Sequence, residues 1–307
     1  MSAKPTHLLE IADFAASDVR AILDLAHRDP RSLGNPLDGP NGRQGVALIF
    51  EKPSTRTRHS MEIAVVQLGG HPVYTRAEEV GIDVREPAED VVRILQGYHA
   101  IVAARVFDHG LLERMAAVAE VPIVNMLSDR AHPLQALADA LTMEQAFGPL
   151  AGRRVAWVGD YNNVARSLGE ISALLGAHVA FACPPGFEPS EAELERLLLL
   201  GAPSAEHHWR AAEAVAGADA VHADTWVSMG QEDDKAARVK AFEGFTVNDE
   251  LMALAAPSAV FMHCLPAYRG LEVTADVIDG PQSRVFPQGH NRLHAARGAL
   301  AFLVGVL

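Results

Sequence analysis

The sequence predicts an α/β protein made of two doubly wound parallel-sheet domains, with the active site in the cleft between them. Three observations predict it. A chain of 307 residues is long for one hydrophobic core and fits two domains of ordinary size. Continuous apolar runs alternate with helical patterns along the chain, and strands separated by helical crossovers pair in parallel with both faces covered. The polar motifs fall where strands end, and open parallel sheets bind ligands outside the carboxyl ends of their strands.

Taken in order, "GVALIF" (Gly45–Phe50) reads as a buried strand because it is apolar throughout and then punctuated. A helix follows, with Met61, Ala64, Val65 and Leu68 on one face and Gly69-Gly70 as its stop. "HPVYT" resumes extended structure, "AEDVVRILQGYHAIVAARV" reads as helix then strand ending at Arg105, and "LLERMAAVAEVPIVNM" repeats the unit. "HPLQALADALTMEQAFG" is a helix with Pro133 in its first turn. A second set starts at Gly152: strand "RRVAWVGD", helix "NNVARSLGEISALLGA", strand "HVAFACP", helix "EAELERLLLL", then strands "ADAVHADTW" and "SAVFMHCLP". The final "NRLHAARGALAFLVGVL" is helical, with Leu293, Ala296, Leu300 and Leu303 on one stripe. We place the domains at residues 1–132, with the helix 291–307 packing back on them, and at residues 133–290.

Hydrophobic content of 49% and charged content of 21% describe a soluble globular chain. A formal net charge of -13 argues against nucleic acid or an anionic membrane as partner. Two cysteines make no disulfide framework and suit a reducing cytosol. Glu10 and Asp13 interrupt the N-terminal apolar stretch, so a signal peptide is not expected, and no run approaches the ~20 apolar residues of a membrane span. The expectation is a cytoplasmic protein.

Within that acidic whole, "EKPSTRTRHS" (Glu51 to Ser60) sets Lys52, Arg56 and Arg58 at a helix start. The first turn already carries partial positive charge, so an anion belongs there. Ser54 is a good N-cap, while Thr55, Arg56 and Thr57 offer N–H groups, hydroxyls and a guanidinium fork. The alternative is a solvated helix start whose arginines pair with Glu51 and Glu62. The stretch lacks the G-x-x-x-x-G-K-[ST] of a nucleotide P-loop, which favours a small phosphate compound. Arg105, ending an apolar strand, faces the cleft or pairs with Asp108. His132 precedes a helix and is more often a cap than a catalyst. "VGDYNNV" has one glycine where a dinucleotide turn wants three, so NAD is disfavoured. "DTWVSMG" pairs the Asp224 carboxylate with loop donors around Ser228 and Met229, which suits an α-amino acid. In "HCLPAYRG", adjacent strand residues point to opposite faces, so His263 and Cys264 form no dyad.

"STRTR", "HPLQ", "DTWVSMG", "HCLPAYRG" and "VIDGPQS…NRLHAARGAL", in one order over nearly the whole chain, resemble the aspartate/ornithine carbamoyltransferase family, and the loop and H-C-L-P segment look like its ornithine branch. The resemblance implies transfer of the carbamoyl group of carbamoyl phosphate to the δ-amine of L-ornithine, giving L-citrulline and phosphate. The alternative acceptors are N-acetyl- or N-succinylornithine or putrescine. It implies that Ser54, Thr55, Arg56 and Thr57 hold the phosphate, and that Arg105, His132, Gln135 and Arg292 meet the carbamoyl end. Asn163, Asp224, Ser228 and Met229 would bind ornithine, with Cys264 and Leu265 beside the reacting amine. Arg105, His132, Cys264 and Arg292 are the implied catalytic set. No metal or organic cofactor is implied, and a homotrimer or a multiple of trimers is. The sequence departs from the family pattern at Leu134, at Pro87, and at Gln288, Gly289 and His290 before Arg292.

Overall fold

The computed structural model describes residues 7–40, 42–227 and 234–306. Contacts divide the chain into two units: Met1–Ala138 with Asn291–Leu307, and Asp139–His290.

In the first unit, α1 (Ala16–His27) precedes a small hairpin of β1 (Asp38–Gly39) and β2 (Gly42–Arg43). There follow β3 (Gly45–Phe50), α2 (Thr55–Gln67), β4 (His71–Arg76), α3 (Ala77–Val80) and α4 (Ala88–Leu95). Then come β5 (His99–Arg105), α5 (His109–Val118), β6 (Ile123–Leu127) and the start of α6 (Pro133–Phe147). The sheet is parallel in the order β4-β3-β5-β6. Residues of both parities on β3 are buried (Val46 and Leu48, Ala47 and Ile49), so both sheet faces are covered. Ala47, Ile49, Val102 and Ala104 pack under Val91 and Val92 of α4 and Leu112 and Met115 of α5. The chain winds from β3 to β4 on one side and then to β5 and β6 on the other. The switch point therefore lies between β3 and β5, the position at which open parallel sheets bind ligands.

The second unit runs β7 (Arg154–Val158), α7 (Asn163–Leu174), β8 (His178–Ala182), α8 (Glu191–Leu200), β9 (Ala205–His208), α9 (Ala211–Val215) and β10 (Ala220–Ala223). It continues through α10 (Lys235–Ala241), α11 (Asp249–Met252), β11 (Val260–His263), α12 (Ala275–Ile278) and into α13 (Val285–Leu303). Its sheet, also parallel, has the order β11-β10-β7-β8-β9, which puts the switch point between β7 and β10. Ala156, Val158, Val221, Ala223 and Phe261 form one buried face with Ala214, Val215 and Phe242, while Trp157 stacks on His222 on the other.

The last helix differs from the sequence expectation: it starts at Val285 rather than at Asn291. Pro287 reads as a breaker, yet it occupies the first turn, where the missing N–H has no intrahelical acceptor to lose. Beyond Asn291 this helix is tied to the first unit. Arg297, buried, donates to the Ala26 and Arg28 carbonyls at 3.0 and 2.9 Å and so satisfies the C-terminal end of α1. Gly298 is required there, because a Cβ would lie 2.6 Å from the Ile22 carbonyl oxygen. Among the described residues, no helix is long and apolar enough to cross a membrane.

Candidate active site

In the first unit the polar residues gather around the β3/β5 switch point. Ser54 caps α2, its hydroxyl accepting from the Thr57 N–H at 3.3 Å and donating to Thr57 Oγ1 at 3.1 Å. Register pairs Phe50 with Arg105, so the residue ending β5 stands beside the segment leading to that cap. Arg292 of α13 donates from Nη2 to Thr57 Oγ1 at 3.1 Å, and from Nη1 to His132 Nε2 at 3.1 Å and to Gln135 Oε1 at 2.5 Å. Thr57, Arg105, His132, Gln135 and Arg292 are all buried, whereas Thr55 and Arg56 are exposed on the first turn of α2.

A guanidinium only donates, so His132 Nε2 must accept and the ring proton must lie on Nδ1. Burial, then the positive charges of Arg292 and Arg105, push the His132 pKa well below its ordinary value. His132 is thus a neutral imidazole whose ring proton lies on Nδ1. Lys52 lies with Nζ 3.9 Å from the centre of the Phe107 ring, its pKa lowered by burial and by Arg105.

The two alternatives left by the sequence separate here. Arg58 is not part of the cluster: it pairs with Glu62 at 2.9 Å and stacks 3.6 Å over Tyr74. Glu51 accepts from the Phe107 N–H at 2.6 Å, and Asp108 caps α5 through the Gly110 N–H at 2.9 Å. The solvated-helix reading therefore describes Arg58.

In the second unit, register aligns Ala223 with Val158 on one side and with His263 on the other. The residues just past these strand ends, Asp224, Gly159 and Cys264, consequently fall level. Asp224 is buried and accepts at Oδ1 from the Thr225 N–H at 2.8 Å and from Cys264 Sγ at 3.0 Å. Its Oδ2 accepts from Asn162 Nδ2 at 2.9 Å. Asn163 opens α7, and Leu265 adopts φ +58°, in the left-handed region that a branched residue rarely occupies. Ser228 and Met229 lie outside the described residues. The next helix is anchored by Arg238, which donates to the Trp226 carbonyl and to Asp160 Oδ2, both at 2.5 Å. Burial raises the Asp160 pKa, and Arg238 counters it.

Strand alternation does not separate His263 from Cys264 as the sequence leads one to expect. β11 ends at His263, so alternation does not extend to Cys264, and the donor atoms of Asp224, His263 and Cys264 lie within 4.8 Å of one another. Even so, His263 is engaged elsewhere. Its Nδ1 accepts from the Leu265 N–H at 2.9 Å, which puts the ring proton on Nε2, 3.3 Å from Glu272 Oε1. The ring holds the turn rather than serving the thiol. The same contacts occupy lone pairs that a cation would need. Cys183 is fully buried, and burial drives its thiol pKa up, so it is no nucleophile.

Sequence reasoning placed Asn162 and His263 among the polar residues at strand ends but assigned neither a role in the site. The Asn162-Asn163 doublet was the available signal for the first. For the second, nothing in the sequence marks where the strand stops.

Two family models match the chain. The carbamoyl-P binding domain of aspartate/ornithine carbamoyltransferase matches residues 6–145, and the Asp/Orn binding domain matches residues 151–303. An ornithine carbamoyltransferase of Thermus thermophilus is 48% identical, over 98% of this chain and 97% of its own length. One from Acidothermus cellulolyticus is 46% identical, over 97% and 96%. The solved ornithine carbamoyltransferase from Pyrococcus furiosus superposes with a TM-score of 0.90 at 41% identity, covering 98% of this chain and 97% of that one.

Proposed function

The chain belongs to the aspartate/ornithine carbamoyltransferase family, and we propose on that footing that it transfers the carbamoyl group of carbamoyl phosphate to the δ-amine of L-ornithine, giving L-citrulline and phosphate in arginine metabolism. One observation carries the site reading: Arg292 joins Thr57 to the turn of His132 and Gln135, segments far apart in sequence, through three side-chain hydrogen bonds.

The first unit takes carbamoyl phosphate. Ser54, Thr55, Arg56 and Thr57 hold the phosphate at the α2 N-terminus, where the helix dipole and the N–H groups of the first turn favour an anion. Arg105, His132, Gln135 and Arg292 meet the carbamoyl group. The second unit takes the amino acid: Asp224 the ammonium, Asn163, Ser228 and Met229 the backbone groups, Cys264 and Leu265 the reacting amine.

The neutral amine attacks the carbonyl carbon, an oxyanion develops, and the C–O bond to phosphate breaks. Preorganised donors at such an oxygen are usually the largest catalytic contribution. Arg105 and Arg292 supply charge, and His132, held neutral, supplies an N–H without adding to the clustered positive charge. A free alkyl amine has a pKa near ~10.4 by analogy with lysine, so the site selects its deprotonated form. The proton that the amine loses goes to the departing phosphate. The step as written needs no metal or organic cofactor.

Purified protein with carbamoyl phosphate and ornithine should form citrulline in a colorimetric assay. A panel with N-acetylornithine, N-succinylornithine and putrescine should give less product; a faster acylated acceptor overturns the substrate and keeps the reaction class. We further infer a homotrimer, or a multiple of trimers, in the cytoplasm. Ile63 and Val66, 46% and 51% exposed on α2, supply apolar surface that assembly would cover, and light scattering of the purified protein reads the mass.

A further inference from the structure

We propose that Asn162 is a positioning residue for the amino-acid acceptor: its amide fixes the Asp224 carboxylate to the first turn of α7. The inference rests on the reading of Asp224 as the group that meets the ammonium.

Asn162 uses the two ends of its amide for different tasks. Its Oδ1 caps α7, accepting from the Val164 and Ala165 N–H groups, each at 3.0 Å. Its Nδ2 donates to Asp224 Oδ2 at 2.9 Å. Capping alone does not call for asparagine, since serine, threonine and aspartate cap comparably. None of those three, however, offers an acceptor to the helix and an N–H donor to a carboxylate from one planar group. The second contact is therefore what selects asparagine here.

The carboxylate has about four acceptor positions. Thr225 N–H and Cys264 Sγ occupy Oδ1, and Asn162 occupies one position on Oδ2. What is left for a ligand is the other lone pair on Oδ2, and Asn162 decides which way it points. The loop bearing Asn162 is itself held. The Gly159 N–H donates to the Ala182 carbonyl at 2.9 Å, the Tyr161 N–H to the Phe187 carbonyl at 2.9 Å, and Trp157 Nε1 to the Asp160 carbonyl at 2.9 Å. A donor on such a rigid support orients its acceptor, as a supporting contact behind a binding group must.

The test compares variants that keep the cap. Asn162→Ser retains the helix acceptor and replaces the Nδ2 donor by a shorter hydroxyl; Asn162→Asp retains the acceptor and sets a second carboxylate against Asp224. With carbamoyl phosphate saturating, Asn162→Ser should raise the ornithine KM about tenfold or more, and Asn162→Asp further, the loss expected for one hydrogen bond to a charged group. The KM for carbamoyl phosphate and the melting temperature should stay near the parent's. Asp224→Asn is the control. If it leaves the ornithine KM unchanged, the reading of the amino-acid site fails and takes this inference with it. If Asp224→Asn raises the ornithine KM and Asn162→Ser does not, Asn162 is a helix cap only and the inference alone is overturned. A loss in Asn162→Ser that tracks lower melting temperature and affects both substrates equally also overturns it.

Discussion

The two units solve opposite electrostatic problems with the same architecture. In the first, a buried guanidinium donates to three neutral groups: a hydroxyl, an imidazole and an amide oxygen. In the second, a buried carboxylate is held by donors that are neutral: a backbone N–H, a thiol and an amide. Neutral partners fix a charged group without cancelling its charge, which suits the first cluster to an anion and the second to a cation. Each cluster lies where its own sheet reverses winding direction, between β3 and β5 or between β7 and β10. Topology thus chooses the place, and the choice of fixed charge decides the ligand.

The sharpest way to break this comparison is to remove the fixed cation. Arg292→Ala should lower kcat about a hundredfold to a thousandfold, the loss found when a preorganised donor is taken from a transition state. Folding stability should change far less, because burying a charge carries a desolvation cost that alanine does not. Arg292→Lys should recover little, since one ammonium cannot reach three acceptors in the planes a guanidinium fork serves. Near-parent kcat in either variant would mean that the Thr57–His132–Gln135 cluster is architectural.

How far the sequence disclosed this depends on the kind of information. β3 was readable because six apolar residues stand together, and α2 because Ser54 announces its start. β9 (Ala205–His208) was not: it is a four-residue edge strand, half-buried throughout, with no apolar alternation to betray it. The start of α13 was hidden by Pro287 and Gly289, which resemble a loop until the first-turn position is known. The motifs named Arg292, His132 and Thr57 individually, but only packing shows one guanidinium shared among them. Asn162 shows the same limit, since a cap can be read from sequence and a contact across 62 residues cannot.

A smaller effect tests the neutrality of His132. Its folded pKa is depressed, while an unfolded histidine titrates near ~6.5. Between those values the unfolded chain binds a proton that the folded one refuses, so this contribution to stability is complete above ~6.5 and declines as pH falls, by up to ~1.4 kcal/mol per pH unit. Below the folded pKa the decline stops. Burial lowers His109 and His99 too, so the measurement must be a difference. Denaturant unfolding of parent and His132→Asn between pH 7 and 5 should show the shallower slope in the variant. Equal slopes would mean that the folded ring takes up its proton as readily as the unfolded one, and the neutral donor would be lost from the mechanism.

The smallest expected effect separates two arginines of one motif. Arg56 and Arg58 stand two residues apart at the start of α2, and both are exposed. On a helix, positions two apart face different directions. Arg58 has its fork against Glu62 and its plane over Tyr74, so its charge is already used on the surface, where pairs of this kind contribute little. Arg58→Ala should leave activity within about threefold of the parent, with carbamoyl phosphate KM unchanged. Arg56→Ala, its control, should lose carbamoyl phosphate first. If Arg58→Ala proved the more damaging, the anion would lie on the other side of the helix start, and the contrast between the units would need a different set of cations on the phosphate side.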